Sequence, residues 1–65
     1  MTNLQEYRKM RKISQSELAK QAGVNVRTLQ DYEQGRKDIN QAAAITVYKL
    51  SEALGCAVWE LLEDE

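Results

Sequence analysis

Along most of this chain, apolar residues recur three and four positions apart, and short polar or glycine-bearing segments interrupt them. Leu4 and Tyr7 open the first stripe and Met10 extends it, which predicts a helix over residues 2–12. Ser14-Gln15-Ser16-Glu17 has the form of a capping box, in which the Ser14 hydroxyl accepts from the Glu17 N–H and the Glu17 carboxylate reaches back. A second helix therefore starts at Gln15, with Leu18, Ala19 and Ala22 inward and Gly23 placed to end it in a left-handed conformation. Gly23-Val24-Asn25 forms a turn, and Asn25 caps a third helix over residues 26–34. Leu29 and Tyr32 face the core from this helix, and Gly35 stops it. Asp38 or Asn40 can cap a fourth helix that ends at Gly55, with Ala43, Ala44, Val47, Leu50 and Leu54 at helical spacing. Val58, Leu61 and Leu62 mark a short fifth helix. There is no proline, and only Val24 and Val26 alternate as a strand would. The expected fold class is all-α, with five helices.

The chain has 65 residues, which suits one domain over residues 1–65. A domain this small buries only about 60% of the surface its unfolded chain exposes, so its stability is modest. Its one cysteine, Cys56, allows no internal disulfide. There is no histidine, so the commonest general base is missing, and no Cys/His or Ser/His pairing exists for catalysis or zinc. The chain is therefore expected to have no catalytic residues, metal, cofactor or small-molecule ligand. It has no apolar run of the roughly 18 residues that span a bilayer and no signal-peptide pattern. A cytoplasmic protein without a membrane partner is expected, and Met1 with the acidic end at Glu65 fits a complete small protein.

Net charge is −1, but its distribution says more than its sum. Residues 1–40 carry eight basic and five acidic side chains, and residues 41–65 carry one basic and five acidic. A phosphate backbone would approach the first part and avoid the second, although such asymmetry also arises by chance in short chains.

The segment over residues 15–35 reads physically as two short helices joined by a three-residue turn. Ala19 lets the third helix cross the second closely, Val24 plugs the turn, and Gly23 supplies the positive φ that the turn needs. That arrangement would hold the third helix proud of the body, with its first residues free to enter a major groove. The pattern Leu4, Tyr7-Arg8, Ile13-Ser14-Gln15, Glu17-Leu18-Ala19, Gly23-Val24, Thr28-Leu29, Tyr32-Glu33-Gln34-Gly35-Arg36, Leu50, Ala53-Leu54-Gly55, Val58 and Leu61-Leu62 resembles the phage repressor/Cro-type helix-turn-helix family, or XRE family. The resemblance covers nearly the whole chain. It implies a compact five-helix, lambda-repressor-like DNA-binding domain with the helix-turn-helix at helices 2 and 3.

What the resemblance implies for sites is specific. Gln15, aided by Ser14, would contact the DNA backbone, and both also serve as the cap of a surface helix. Recognition positions would fall on Val26, Arg27, Thr28, Gln30 and Asp31, and the Asn25 cap before them would also lie at the DNA. Arg27 can donate twice to guanine, Val26 can touch a thymine methyl, and Asp31 can accept from cytosine. Arg27 and Asp31 also have the i,i+4 spacing of an ordinary surface ion pair. Gln34, Arg36, Lys37 and Asn40 would give a second backbone contact, and the alternative for the two cations is a solvated loop. Arg8 and Glu33 match a pair that joins the first and third helices in this family. Cys56 reads as a buried structural thiol rather than a redox sensor, and Tyr7, Tyr32 and Tyr48 read as core. Ile45 and Trp59 fall off the inward stripes, which suits a dimer contact or scattered surface hydrophobics.

The expected function is sequence-specific regulation of transcription on double-stranded DNA, with a homodimer on a near-palindromic operator. The alternative is a protein-interaction module of the same fold, antitoxin-like or anti-repressor-like, with little DNA affinity.

Overall fold

Local stereochemistry sets most helix ends in the computed structural model, which describes residues 2–63. Helix α1 spans Asn3–Met10, α2 Gln15–Ala22, α3 Val26–Glu33, α4 Ala44–Leu54 and α5 Val58–Leu61, with one 3-10 turn at Ile39–Gln41. Among the described residues there is no strand. Thr2, Ser14 and Asn25 cap α1, α2 and α3, each accepting a first-turn backbone N–H through its side-chain oxygen. Gly23 closes α2 at φ 71°, a left-handed conformation that a Cβ would strain. Met1, Asp64 and Glu65 lie outside the described residues, so the expectations placed on the two chain ends stay there.

The core takes one fully enclosed leucine from every helix: Leu4, Leu18, Leu29, Leu50 and Leu61. Each contributes about 1.5–3 kcal/mol relative to exposure. Helix α2 packs on both α3 and α4, α5 packs on α1 and α4, and α1 packs on α3. Ala19 and Ala22 are buried where α2 meets its neighbours, and Val24 packs against the same core from the turn.

Several expectations are corrected. Helix α1 stops at Met10 rather than Lys12, because the chain leaves through Lys12 at φ 58°. Met10 is exposed and does not extend the stripe. The capping box at Ser14 is half formed: Ser14 Oγ accepts from Glu17 N at 3.1 Å, but the Glu17 carboxylate takes Gln21 Nε2 at 3.3 Å. Asp38 caps the 3-10 turn, with its Oδ1 2.9 Å from Asn40 N, and not α4. Helix α4 begins at Ala44 with no side-chain cap, so Ala43 and Ala44 are exposed. Ile39, which no stripe singled out, is buried because the 3-10 turn points it inward. Tyr48 is 50% exposed and is not a core residue, whereas Tyr7 and Tyr32 pack against the core. Val58 is 37% exposed, and Leu61, fully enclosed, anchors α5. Cys56 is half-buried rather than buried. Burial pushes its thiol pKa up, as does the Glu60 charge, against a smaller opposing effect of Arg11.

Polar bonds join the first and last elements. Asn3 donates its backbone N–H to Glu63 Oε2 at 2.6 Å and its amide to the Leu62 carbonyl at 2.8 Å. Asn40 exchanges two bonds with the Glu63 backbone, at 2.7 and 2.8 Å. Glu60 accepts from the Tyr7 hydroxyl at 2.5 Å and from Ala57 N at 2.9 Å, so one carboxylate caps α5 and holds α1.

The hydrogen bond from Tyr7, then that from Ala57, holds the Glu60 carboxyl below its ordinary range, while the bond to Glu60 raises the Tyr7 hydroxyl. A carboxyl with a lowered folded pKa stabilises the fold above its unfolded value and loses that contribution as pH falls through the folded one. The raised tyrosine loses its contribution at the other end, as pH rises past about 10. Tyr7→Phe should therefore move the acid-unfolding midpoint to higher pH, as followed by helical circular dichroism. An unchanged midpoint would show that this bond does not couple to folding.

Candidate nucleic-acid interface

The surface built by α2 and α3 starts from a buried charge. The Glu33 side chain has no solvent exposure, and Arg8 grips it with Nε to Oε2 at 2.7 Å and Nη2 to Oε1 at 3.0 Å. Arg8 Nη1 also donates to the Ile13 carbonyl at 2.8 Å. Gln15 Nε2 adds a third donor to Glu33 Oε1 at 3.1 Å, and Gln15 Oε1 accepts from Gln30 Nε2 at 3.4 Å. The chain Arg8, Glu33, Gln15, Gln30 runs from α1 through the base of α3 and the start of α2 to the side of α3. It holds the first residue of α2 in one place. An amide nitrogen has two N–H groups, and the bond to Glu33 uses one of the two on Gln15.

Helix α3 divides sharply. Leu29 and Glu33 are buried and Tyr32 is half-buried, while Asn25, Val26 and Arg27 are exposed. The Asn25 side chain accepts from Arg27 N at 2.8 Å, which leaves Val26 and Arg27 as the leading turn. The Arg27 side chain is 76% exposed. Thr28 and Gln30 are half-buried on the flanks. Arg27 thus faces solvent, and Val26 beside it keeps 37% of its surface exposed.

The end of α3 is organised by Asp31. Gly35 adopts φ 79°, and the chain doubles back so that Gly35 N bonds to the Tyr32 carbonyl and Arg36 N to that of Asp31, at 3.4 and 2.9 Å. Such paired bonds close helices whose next residue tolerates a left-handed conformation. The turn brings Arg36 Nε within 2.9 Å and Lys37 Nζ within 4.0 Å of the Asp31 carboxylate, which also faces Arg27 Nε at 3.8 Å. The i,i+4 pair is thus the looser contact, and the Arg36 pair is the closer one. Nothing in the i,i+5 spacing announced it, because it depends on the turn. Gln34, Arg36 and Lys37 are exposed beside it.

Most residues expected at the interface lie on α2, α3 and the loop after it: Ser14, Gln15, Asn25, Val26, Arg27, Thr28, Gln30, Asp31, Gln34, Arg36 and Lys37. Asn40 lies on the 3-10 turn, with its side chain bonded to the Glu63 backbone. Ile45 and Trp59 are 58% and 73% exposed, away from the inward stripes. Among the described residues, no group of three His, Cys, Asp or Glu side chains is placed to hold a metal ion, and no helix is long and apolar enough to cross a membrane.

A helix-turn-helix family model of the Cro/C1 type matches residues 4–58. The chain belongs to that helix-turn-helix family. Neither a curated protein nor a solved structure matches it. The family is one of DNA-binding transcriptional regulators and is not typically enzymatic. The match takes in α1 to α4 and the first residue of α5, so the helix-turn-helix proper and the Arg8–Glu33 pair both fall within it.

Removing Glu33 should damage this helix-turn-helix protein more than an average core change. Glu33→Ala leaves the Arg8 guanidinium, only 12% exposed, without its partner, at a cost of about 3–5 kcal/mol. Whole-domain stability at this length is about 3–10 kcal/mol, so a urea titration should show the unfolding midpoint lowered by about a third or more. A loss below about 1 kcal/mol would mean the pair does not brace the fold.

Proposed function

We propose that the protein is a sequence-specific regulator of transcription that binds double-stranded DNA by inserting the leading turn of α3, from Val26, into the major groove. The outward exposure of Val26 and Arg27, on a helix whose opposite side is buried, carries this reading. Arg27 donates to the O6 and N7 of a guanine, and Val26 meets a thymine methyl. Thr28 and Gln30 flank them. Ser14 and Gln15 present the start of α2 to one phosphate run, and Gln34, Arg36 and Lys37 face another.

One such helix makes few base contacts, so a homodimer on a near-palindromic site fits the task. Equivalent helices in such dimers lie about 34 Å apart. The domain measures 28 × 22 × 21 Å, so two copies side by side are longer end to end than that spacing. Ile45 and Trp59 supply exposed apolar area for the contact between copies. The protein works in the cytoplasm, where its DNA is.

A second reading has one observation behind it. Three cations at the DNA-facing end already sit around Asp31, which suits a protein-interaction module of the same fold. Salt separates the readings: binding through several phosphates weakens steeply as salt rises, whereas an apolar protein contact hardly changes.

Selection from random duplex DNA should enrich a two-fold-related half-site. Recovery of no motif, with binding indifferent to salt, would remove the regulator reading. Against the selected site, Arg27→Ala should cost about 1–3 kcal/mol and relax preference at one base pair, with other positions unaffected. Equal binding of the variant to every sequence tested, at wild-type strength, would place the recognition register elsewhere.

A further inference from the structure

Asp31 is an unusual residue to find at the end of a DNA-reading helix, since its charge repels phosphate. Its surroundings give it a purpose. The side chain is only 15% exposed because three basic side chains gather around it: Arg36 Nε at 2.9 Å, Arg27 Nε at 3.8 Å and Lys37 Nζ at 4.0 Å. Its main-chain carbonyl meanwhile accepts from the N–H groups of Arg36 and Lys37, at 2.9 and 3.2 Å. One residue thus fixes both the backbone and the head groups of the loop after α3. Eight basic residues lie within residues 1–40, and three of them stand within 4.0 Å of this single carboxylate.

We propose that Asp31 is a positioning residue that stands in for phosphate in the free protein, holding Arg36 and Lys37 back from sequence-independent binding while aiming Arg27 at a base. The inference rests on the DNA-binding reading for its last clause and on the ion-pair geometry alone for the rest. Exposed pairs of this kind are individually weak, so phosphate can displace them. The exchange nevertheless subtracts from every contact with the DNA backbone, whatever the sequence. Arg27 responds differently. The carboxylate faces its Nε, which leaves the two terminal nitrogens of the guanidinium as a fork for guanine. A complex made only of phosphate contacts is weakened by Asp31, and a complex that includes the Arg27 base contact recovers part of that loss. Asp31 therefore widens the gap between operator and random DNA.

Asp31→Asn tests this with the full chain, because it removes the charge and keeps the shape. Heparin, a polyanion without bases, is the first probe: the variant should elute at higher salt than wild type. A random duplex is the second: its affinity should rise about three- to tenfold, with the salt slope steeper by about one phosphate contact. The selected operator should gain less, so the ratio of the two affinities falls. Adding Arg36→Gln to Asp31→Asn should cancel most of the gain. Circular dichroism confirms that each variant is folded, and Asp31→Ser repeats the test if the amide does not fold. Unchanged heparin elution, or equal gains on operator and random DNA, would overturn the proposal. If wild type binds no duplex at low salt, the regulator reading fails. The heparin shift then still decides whether Asp31 holds the cations back.

Discussion

The structure depends on a carboxylate that water does not reach. Glu33 sits at the last residue of α3 with its side chain fully enclosed, and three N–H donors converge on it from Arg8 and Gln15. A buried charge without such partners is strongly destabilising, and removing one partner leaves the other uncompensated. Satisfied, it is directional in a way that apolar packing is not. The planar guanidinium accepts one approach of the carboxylate, so the angle at which α1 meets α3 is set by bond geometry as well as by side-chain volume. Gln15 carries the same constraint to α2. No buried side-chain nitrogen or oxygen among the described residues is left without a partner, so the network closes.

Around that fork, the leucines supply non-directional attraction. With Ile39, Val47, Leu54, Ala19 and Ala22 they make a small core, as expected of a chain this short. The polar bonds of Asn3, Tyr7 and Asn40 to the α5 segment supplement it where apolar contact is sparse. These bonds bring residues far apart in sequence together and leave the outer side of α3 untouched. The two sides of this eight-residue helix thereby differ, one committed to the fold and the other open to solvent. Leu29 and Glu33 hold it, and Val26 and Arg27 stay exposed.

Charge follows a similar division. Four of the eight acidic side chains of the described residues serve the fold directly: Glu33 braces it, Glu60 and Glu63 tie the α5 segment to α1, and Asp38 caps the 3-10 turn. Asp31 sits on the boundary, organising the backbone of a turn and the cations beside it. A near-neutral total therefore says little about how this surface meets a polyanion, since carboxylates committed to protein partners do not repel as free ones do.

Residues 14–35 were the most legible part of the chain. Ser14, Asn25 and Gly23 act within a few residues of themselves, through a hydroxyl, an amide and a missing Cβ, so their roles follow from local chemistry. The helix-turn-helix and the Arg8–Glu33 pair could be expected on that basis and on the resemblance it supports. The start of α4, the burial of Ile39, the exposure of Tyr48, the Asn40–Glu63 exchange and the gathering of Arg36 and Lys37 on Asp31 were not legible. Each depends on a neighbour brought close by the fold, and spacing along a chain carries no record of which side of a turn faces which helix. The sequence by itself determined where helices begin and end where a cap or glycine stands. Tertiary structure decided everything that rests on contact between segments distant in the chain, because only packing selects among the partners that a polar side chain can reach.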